Sequence, residues 1–529
     1  MKTRQLKHLE RLSRKTISPD EVISRELARS LAALSTELNR QLGLLIHRSG
    51  KVETVIVGDF NRIVIPALTN IRTAGGRLRG LRCVHTVLSG AKVSEEDIMD
   101  MACLRLDLIS VLTLSDGLPE ALHTAHLVPG DRDGRAWAEL APVHPALQQQ
   151  SCIELIEAIE AEFVRLRPVR DVDKGKDRAL LVSVTTGSRA MAEESLVELS
   201  ELARSAGVQV LDRIIQRRKK IHPRFILGRG KLMEIMLMSL RLGANLLLFD
   251  QDLSPSQVRS VTDHTDLRVI DRTQLILDIF ARRAKSREGK LQIEMAQLKY
   301  MLPMLSTRDD ALSRLTGGIG ARGPGETRLE IDRRRINDRI ARLGKELKSV
   351  GRQRFHRRSR RRKRDVPVIS LVGYTNAGKS TLLNTLTDSD IQAEDLLFAT
   401  LDPTSRRLRF PRDMEVIVTD TVGFIRNLPA ELLKAFASTL EELQEADLLL
   451  HVIDISNPAW RQQVEVVEGL LRELELDGIP CLKVLNKIDL ALERGGGLPT
   501  GEEGVCVSAT DAATLPPLLK RAESLLQMA

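Results

Sequence analysis

Apolar residues in the last third of the chain occur in short runs that alternate with helical patterns. Strand-length runs occupy Val366–Val372, Met414–Thr419, Leu448–Ile455 and Cys481–Leu485, and a helical pattern covers Thr381–Thr387. Runs of this length with helices between them are typical of buried parallel strands joined by crossovers. The pattern predicts an α/β domain over residues 366–529, with a mostly parallel sheet and flanking helices.

The middle of the chain shows the same alternation on a smaller scale. Strands are predicted at 180–184, 208–215, 245–250 and 267–270, and helices at 192–206, 231–242 and 254–262. Strands that alternate with helices favour parallel pairing. We therefore predict a small α/β domain over residues 179–285.

The first 175 residues predict an extra domain of mixed α/β type. Pro19–Gly43 has helical spacing, and Leu44–Gly58 contains two apolar runs around Arg48-Ser-Gly-Lys51, which indicates a hairpin. Asp97–Leu114 predicts a helix that leads into a strand. Nothing in this region indicates a particular chemistry.

Residues 286–352 predict an antiparallel helical hairpin. Leucine and other apolar residues recur at heptad spacing from Leu291 to Leu305 and again from Leu329 to Val350. The two runs are separated by a glycine-rich loop at 317–328, which five glycines and a proline keep from being helical. A flexible loop with Arg322 and Arg328 at the end of a stiff arm suits a narrow, phosphate-lined space.

Charge is distributed unevenly along the chain, whose formal net charge is +9. Residues 366–529 carry a net charge of −11, so the first 365 residues carry +20. Nine of the fourteen residues from Gly351 to Arg364 are basic, and we predict a basic linker over 353–365. Concentrated positive charge indicates a polyanionic partner, most simply RNA.

Cysteine usage and hydropathy indicate a cytoplasmic protein. The five cysteines are scattered and never in CxxC spacing, which argues against a disulfide framework or a zinc site. No stretch approaches the roughly 20 apolar residues of a membrane span. The basic N-terminus lacks the apolar core of a secretory signal. We expect a cytoplasmic protein, without a membrane span and monomeric.

The sequence Gly373-Tyr-Thr-Asn-Ala-Gly-Lys-Ser380 matches the phosphate-binding loop GxxxxGK[ST] between a predicted strand and a predicted helix. Gly373 and Gly378 would let backbone N–H groups turn toward phosphate oxygens, which the start of the helix also favours. Lys379 would reach the β- and γ-phosphates, and the Ser380 hydroxyl would bind Mg²⁺.

The motifs that follow complete the constellation of a GTPase. Phe398-Ala-Thr-Leu-Asp-Pro-Thr404 is a candidate first switch, in which the Thr400 hydroxyl would join the Mg²⁺ shell. Asp420-Thr-Val-Gly423 ends a predicted strand, so Asp420 would hold Mg²⁺ and the Gly423 N–H would sense the γ-phosphate. The predicted metal ligands are therefore Ser380, Thr400 and Asp420.

A guanine-recognition segment follows at Asn486-Lys-Ile-Asp489. The Asp489 carboxylate can accept hydrogen bonds from guanine N1–H and the 2-amino group, a donor pair that adenine lacks. Ser508-Ala-Thr510 would close over the edge of the base. The residues predicted to contact the nucleotide are Gly373, Tyr374, Thr375, Asn376, Ala377, Gly378, Lys379, Ser380, Phe398, Ala399, Thr400, Leu401, Asp402, Asp420, Thr421, Val422, Gly423, Asn486, Lys487, Ile488, Asp489, Ser508, Ala509 and Thr510.

These motifs predict hydrolysis of GTP to GDP and phosphate, with Lys379, Thr400 and Gly423 as the catalytic residues. Many GTPases place a water-orienting glutamine after the DxxG motif, but here Phe424 occupies that position. We therefore expect slow intrinsic turnover unless another group or a partner orders the site. Asn376 resembles the loop asparagine of G proteins that use K⁺, which implies K⁺ as a second cation.

From about Ala179 onward, the chain resembles HflX-type GTPases. The resemblance is carried by GGIGARGPGETRLEIDRRR (317–335), FATLDPT (398–404), DTVGF (420–424), DQDLSPSQ (250–257) and VIDRTQLILDIFARRA (269–284). It implies a cytosolic GTPase that binds the large ribosomal subunit and ribosomal RNA and splits stalled or idle ribosomes. The loop of the helical arm would reach toward the peptidyl-transferase centre.

The sequence departs from this family in two places and leaves two alternatives open. Residues 1–178 are extra, and after Thr510 only one helix, 515–526, is expected, without room for the C-terminal appendage of some relatives. The Gly228-Arg-Gly-Lys231 turn either begins a helix or holds the phosphate of a second nucleotide. The alternative function is an RNA-binding switch with slow GTPase activity that acts on non-ribosomal RNA.

Overall fold

The computed structural model describes residues 3–66, 77–88, 92–132, 135–165, 176–263, 265, 267–305, 328–362, 366–387, 397–398, 404–410, 414–426, 443–493 and 503–528. The chain divides into two compact units. The first unit comprises residues 1–196 and 208–271, and the second comprises 197–207 and 272–529.

The first unit contains a six-stranded sheet built from the N-terminal region. Its strands are β1 (Leu42–His47), β2 (Val52–Val57), β3 (Leu81–Val87), β4 (Leu108–Ser115), β5 (Leu118–Arg132) and β6 (Arg135–Glu139), in the order β2-β1-β3-β4-β5-β6. Only the β3–β4 pair is parallel. The β1–β2 pair confirms the predicted hairpin.

Four helices cover this sheet: α1 (Thr3–Ser13), α2 (Arg25–Leu38), α3 (Glu95–Cys103) and α4 (Cys152–Arg165). Leu27 and Leu31 of α2 are completely buried in a core that contains Leu44 of β1. Neighbouring residues of a strand point to opposite faces, so Leu45 joins a second core with Ile98 of α3 and Ile156 of α4. The predicted mixed α/β region is thus a sheet with two buried faces.

The first unit also contains a four-stranded parallel sheet, as the alternation predicted. Its strands are β7 (Arg178–Thr185), β8 (Gln209–Arg217), β9 (Leu246–Phe249) and β10 (Arg268–Asp271), in the order β10-β9-β7-β8. The helices between them are α5 (Arg189–Ser205), α6 (Arg229–Leu242) and α7 (Pro255–Thr262). Ser254 begins α7 with a reciprocal capping box to Gln257.

The predicted boundary near residue 178 does not separate two compact units. Cys103 of α3 lies in the core of the parallel sheet, and Leu240 of α6 lies in a core of the N-terminal sheet. The buried Arg105 side chain also donates to Ser239 Oγ at 3.0 Å. Because helices from the two sheets share apolar and polar partners, the extra region and the parallel sheet form one unit.

The second unit begins with α8 (Arg272–Arg283) and the predicted helical hairpin. The hairpin consists of α9 (Arg287–Leu305) and α10 (Arg328–Arg362). Arg339 pairs with Glu294 and Arg287 pairs with Glu346, so the two helices run antiparallel, as predicted. Residues 317–327 of the predicted glycine-rich loop lie outside the described residues. Its last residue, Arg328, is the first residue of α10.

The segment that we predicted as a basic linker is helical as far as Arg362. Residues 352–362 contain neither glycine nor proline, and arginine has a high helix propensity. The helix α10 therefore extends through most of the basic tract instead of ending at residue 352.

The remainder of the second unit is the predicted mostly parallel sheet. Its strands are β11 (Val368–Gly373), β12 (Thr404–Arg409), β13 (Glu415–Asp420), β14 (Leu448–Asp454), β15 (Cys481–Asn486) and β16 (Val505–Cys506), in the order β12-β13-β11-β14-β15-β16. Only the edge strand β12 is antiparallel to its neighbour. The associated helices are α11 (Lys379–Thr387), α12 (Trp460–Glu473), α13 (Ile488–Glu493) and α14 (Pro516–Met528).

Two predictions about the whole chain, on disulfides and on membrane spans, can be compared with the structure. None of the five cysteines forms a disulfide. Among the helices that the structure describes, none is both long and apolar enough to cross a bilayer.

Candidate functional site

The predicted nucleotide motifs meet at one edge of the third sheet, which is the sheet of strands β11–β16. Strands β11, β13, β14 and β15 are parallel, so their carboxyl ends share that edge. Gly373, Asp420, Asp454 and Asn486 are the last residues of these strands. The sheet therefore brings together motifs that are more than one hundred residues apart in sequence. This edge is where ligands bind in open α/β sheets.

The phosphate-binding loop turns tightly between β11 and α11. Gly378 has a φ of +93°, and a Cβ atom there would lie 2.4 Å from Asn486 Nδ2. Only glycine fits both the backbone conformation and this close approach. Leu382 N–H donates to the Gly378 carbonyl at 2.9 Å, so the helix begins directly after the turn. The helix N-terminus then faces the loop, as phosphate binding requires.

Lys379 is buried beneath this loop and held by it. Its Nζ donates to the carbonyl oxygens of Gly373 at 3.1 Å and Tyr374 at 2.9 Å. Burial lowers the pKa of Lys379 to about 8, while the charge of Asp420 acts to raise it. A phosphate anion would stabilise the charged ammonium further. The side chain is thus pre-positioned for an anionic ligand.

Ser380 and Asp420 form an oxygen cluster beside the loop. Ser380 Oγ donates to Asp420 Oδ2 at 2.6 Å, and Asp420 is 1% exposed. Hydroxyl and carboxylate oxygens are the donors that Mg²⁺ prefers, and the cluster suits an ion that takes its other ligands from water and phosphate. Within the described part of the chain there is no group of three or more His, Cys, Asp or Glu side chains that could form an all-protein metal site.

The segment after Asp420 is joined to the phosphate loop through its backbone. Phe424 N–H donates to the Gly373 carbonyl at 3.1 Å, and Thr375 N–H donates to the Phe424 carbonyl at 2.7 Å. A Cβ atom on Gly423 would lie 2.7 Å from the Thr375 Cα, so Gly423 lies directly against the loop. The Phe424 side chain is 2% exposed and packs inward. It offers no hydrogen bond to an attacking water.

Asn486 connects three of the predicted motifs. Its side-chain amide donates to the Ala377 carbonyl at 2.8 Å, and its oxygen accepts from Ala509 N–H at 2.8 Å. Thr385 Oγ1 on α11 also donates to the Ala509 carbonyl at 2.5 Å. Asn486 is 1% exposed, so its role in the structure is to hold the other motifs together.

The predicted base-recognition residues lie around this connection. Lys487 has a φ of +64°, and its Nζ contacts Asp454 Oδ2 at 2.7 Å. Asp489, in the first turn of α13, is exposed and therefore accessible to a ligand. Ser508 Oγ and Thr510 Oγ1 lie 2.9 Å apart, and Ser508 and Ala509 are buried.

Some predicted site residues lie outside the described chain: Ala399, Thr400, Leu401 and Asp402. Phe398, immediately before them, is described. It has a φ of +59°, and its side chain packs against Phe280 of α8 with ring centroids 4.5 Å apart. Its N–H donates to Thr375 Oγ1 at 3.1 Å, so the Phe398 backbone is held by a side chain of the phosphate loop.

Three residues near the site were not predicted from the sequence: Glu198, Arg272 and Asp454. Glu198 accepts a hydrogen bond from the Tyr374 hydroxyl and pairs with Arg272 at 2.5 Å. Asp454 anchors Lys487. An acidic residue at the end of a buried strand is a weak indication for Asp454. Nothing local distinguishes Glu198 or Arg272 from other charged helix residues.

The turn at Gly228–Lys231 begins a helix in the structure. Gly228 is the N-cap of α6, without a side-chain capping bond. Arg229 pairs with Glu96 at 2.9 Å, and Lys231 pairs with Glu234 at 2.7 Å. The turn borders a cavity of about 360 Å³, lined by Val93, Ser94, Glu95, Glu96, Ile98, Met99, Trp137, Arg229, Gly230 and Met233. Of the two alternatives for this turn, the structure shows the helix start, and no observation tests a second nucleotide.

Comparison with known protein families gives three consecutive matches. Residues 193–281 match the family described as GTP-binding GTPase N-terminal, and residues 283–361 match GTP-binding GTPase Middle Region. Residues 368–487 match the family described as 50S ribosome-binding GTPase. The matches together begin at residue 193 and leave the N-terminal sheet outside.

Individual relatives agree with these matches. A GTPase HflX of Caldanaerobacter subterraneus is 47% identical over 67% of this chain and 82% of its own length. The GTPase HflX of Escherichia coli K12 is 45% identical over 66% of this chain and 82% of its own length. A solved GTP-binding protein of Sulfolobus solfataricus in complex with GDP is 27% identical, with a TM-score of 0.36 over 67% of this chain and 99% of that one.

Proposed function

The chain belongs to the HflX family of GTPases, and from this premise we propose that it is a ribosome factor. It hydrolyses GTP to GDP and phosphate. In the proposed function it associates with the large ribosomal subunit and splits or rescues stalled and idle ribosomes. GTP binding orders the two switches, and hydrolysis resets the protein. We expect it to act in the cytoplasm as a monomer.

The observation that supports a ribosomal partner is the basic helix α10, which directly precedes the phosphate-binding strand in the chain. Seven of its described cations are exposed: Arg333, Arg334, Arg335, Arg339, Arg342, Lys345 and Lys348. The helix pairs antiparallel with α9, so these charges lie on a rigid support. Rigid, exposed positive charge suits the phosphate backbone of ribosomal RNA.

Within the site, we propose these roles for the side chains. Lys379 binds the β- and γ-phosphates, and the Gly423 N–H contacts the γ-phosphate. Asp489 accepts hydrogen bonds from the guanine edge, while Ser508–Thr510 cover the base. Asn486 holds the phosphate loop and the base-binding segment at a constant separation, since its two hydrogen bonds join Ala377 to Ala509.

We propose that Ser380, Asp420 and Thr400 hold Mg²⁺. The Ser380 and Asp420 oxygens already lie within hydrogen-bonding distance of each other, which fits a shared hard cation. When bound, Mg²⁺ supplies neutralisation of the charge on the β- and γ-phosphate oxygens. The protein places the oxygens of Ser380 and Asp420 next to Lys379 and the start of α11.

We expect K⁺ to stimulate hydrolysis through Asn376. This residue lies in the phosphate loop with a φ of +60°, a conformation that asparagine tolerates better than most residues. Turnover should be about tenfold or more faster in KCl than in NaCl at equal ionic strength. The variant Asn376→Gly keeps the backbone conformation but removes the side-chain oxygen, so it should lose this difference.

Steady-state phosphate release measures the K⁺ effect, and GDP affinity measured in both salts is the control. Equal turnover of the unmodified protein in KCl and NaCl would remove K⁺ from the mechanism. A K⁺ effect that persists in Asn376→Gly would assign the ion to other residues.

The ribosomal proposal predicts that isolated large ribosomal subunits accelerate GTP turnover. Phe424 cannot orient the attacking water, so a partner that orders the site has a large effect available to it. We expect an acceleration of about tenfold or more, equivalent to about 1.4 kcal/mol of the barrier. Phosphate release is measured in KCl with and without subunits, followed by an assay of ribosome splitting.

Small ribosomal subunits at the same concentration are the control for nonspecific RNA binding. Acceleration by any RNA, with no preference for large subunits, would favour the alternative: a slow RNA-binding switch that acts on non-ribosomal RNA. Intact GTP binding with no acceleration would contradict the ribosomal proposal.

A further inference from the structure

The phosphate loop contains a tyrosine whose side chain reaches helices outside the third sheet. Tyr374 is 8% exposed, and its hydroxyl makes two hydrogen bonds. It accepts from Arg426 N–H at 2.8 Å and donates to Glu198 Oε1 on α5. A buried tyrosine hydroxyl requires a partner, and here both of its hydrogen-bonding functions are used.

An ion pair holds the acceptor of this tyrosine in place. Glu198 Oε2 lies 2.5 Å from Arg272 Nη2, and Arg272, the first residue of α8, is 2% exposed. Burial and the Glu198 carboxylate raise the pKa of Tyr374 above its usual range, so the hydroxyl stays protonated and donates a hydrogen bond to Glu198. Residues 197–207 and 272–283 belong to the same compact unit as the phosphate loop.

The other partner, Arg426, follows the γ-phosphate sensor closely in the chain. Gly423 is three residues earlier, and Phe424 between them is already bonded to Gly373 and Thr375 through its backbone. The Tyr374 hydroxyl adds a third connection to the same short segment. Where residues 423–426 lie relative to the loop determines whether the Gly423 N–H can reach a γ-phosphate.

The same two helices also contact the segment that precedes Thr400. Leu397 N–H donates to Ser205 Oγ of α5 at 3.0 Å, and Phe398 packs on Phe280 of α8. A phenylalanine with a φ of +59° is uncommon and persists only where its surroundings hold it. Helices α5 and α8 therefore contact residues next to both predicted switches.

We propose that Tyr374 is a positioning residue for GTP hydrolysis, which holds Phe424–Arg426 against the phosphate loop from an anchor formed by Glu198 and Arg272. In this proposal the nucleotide contacts the backbone of Tyr374. The Tyr374 hydroxyl acts on hydrolysis through the segment Phe424–Arg426. The proposal rests on the assignment of this site to GTP, so nucleotide binding is measured in every variant.

Tyr374→Phe removes only the hydroxyl and leaves the ring in place. We expect kcat for GTP hydrolysis to fall about tenfold, the loss that one ordinary hydrogen bond allows, while KM for GTP and Kd for GDP change less than about threefold. Tyr300→Phe is the matched control, because Tyr300 on α9 is the other of the two tyrosines and should retain normal kcat.

A double-mutant cycle with Glu198→Ala tests whether the two residues act together. If Glu198 acts through the tyrosine, Tyr374→Phe combined with Glu198→Ala should have a kcat no lower than that of the worse single variant. Thermal unfolding with and without GDP shows whether each variant folds and binds. Additive losses in the cycle would contradict the anchor.

Three results would overturn the positioning role. An unchanged kcat in Tyr374→Phe would show that the hydroxyl does not matter for turnover. Equal losses of GDP affinity and kcat would indicate a purely structural role. A higher kcat would show that the hydroxyl restrains the switch segment instead of placing it for hydrolysis. If the unmodified protein does not bind GDP, the assignment of this site to GTP is itself contradicted.

Discussion

Replacing Asp489 by asparagine is expected to reduce GTP affinity about 100-fold or more and to create affinity for xanthosine triphosphate. The carboxylate accepts two hydrogen bonds from the guanine edge, and bonds to a charged acceptor are among the stronger ones. An asparagine amide presents a donor where guanine also has donors. Xanthine carries an oxygen where guanine carries the 2-amino group, so the asparagine amide can donate a hydrogen bond to xanthine.

The measurement is competition of GTP, ATP and xanthosine triphosphate against a fluorescent nucleotide. Asp511→Asn is the matched control because Asp511 is exposed and caps a 3-10 turn through Ala513 N–H, a role that asparagine performs equally well. A variant Asp489→Asn that keeps its preference for GTP would show that another residue selects the base.

Replacing Lys379 by alanine is expected to reduce GTP turnover about 10²–10³-fold, the effect of losing one preorganised donor at the reacting phosphates. The ammonium group is buried and bound to the carbonyls of Gly373 and Tyr374, so no neighbouring solvent cation can take its place without rearranging the loop. Single-turnover hydrolysis at saturating GTP separates this loss from weaker binding.

Folding of the Lys379→Ala variant is tested by thermal unfolding, and binding by the increase in Tm that GDP produces. Lys483→Ala is the control, since Lys483 lies within strand β15 of the same sheet and pairs with Glu468 at 2.9 Å. A cooperative transition with little response to GDP and lost turnover is the expected pattern. Turnover close to that of the unmodified protein would remove Lys379 from the catalytic residues.

These two residues also show how far sequence patterns lead. The phosphate loop, DTVG and NKID motifs each follow an apolar run, and a parallel sheet places the ends of such runs at one edge. Both observations are local, so the fold of residues 366–529 and the meeting of these motifs at one edge of the sheet were predictable from the chain alone. The helical hairpin was predictable for the same reason, because its heptad spacing is a local pattern.

Boundaries were less predictable because they depend on what packs against what. Cys103 and Leu240 look like ordinary apolar helix residues, yet each lies in the core of the other sheet and joins the extra region to the parallel sheet. The basic tract after residue 352 looked like a linker from its charge, but its high helix propensity continues α10 to Arg362.

By itself, the sequence determined the alternation of strands and helices in the middle of the chain, the helical hairpin and which nucleotide chemistry the last third supports. Periodicity, turn residues and phosphate-binding motifs are encoded within a few neighbouring positions. Only the tertiary structure decided that Glu198 meets Tyr374, 176 residues away, and that Asn486 joins Ala377 to Ala509. Such pairs depend on how helices and strands pack, and a glutamate on a helix has the same local pattern whether it contacts water or a phosphate loop.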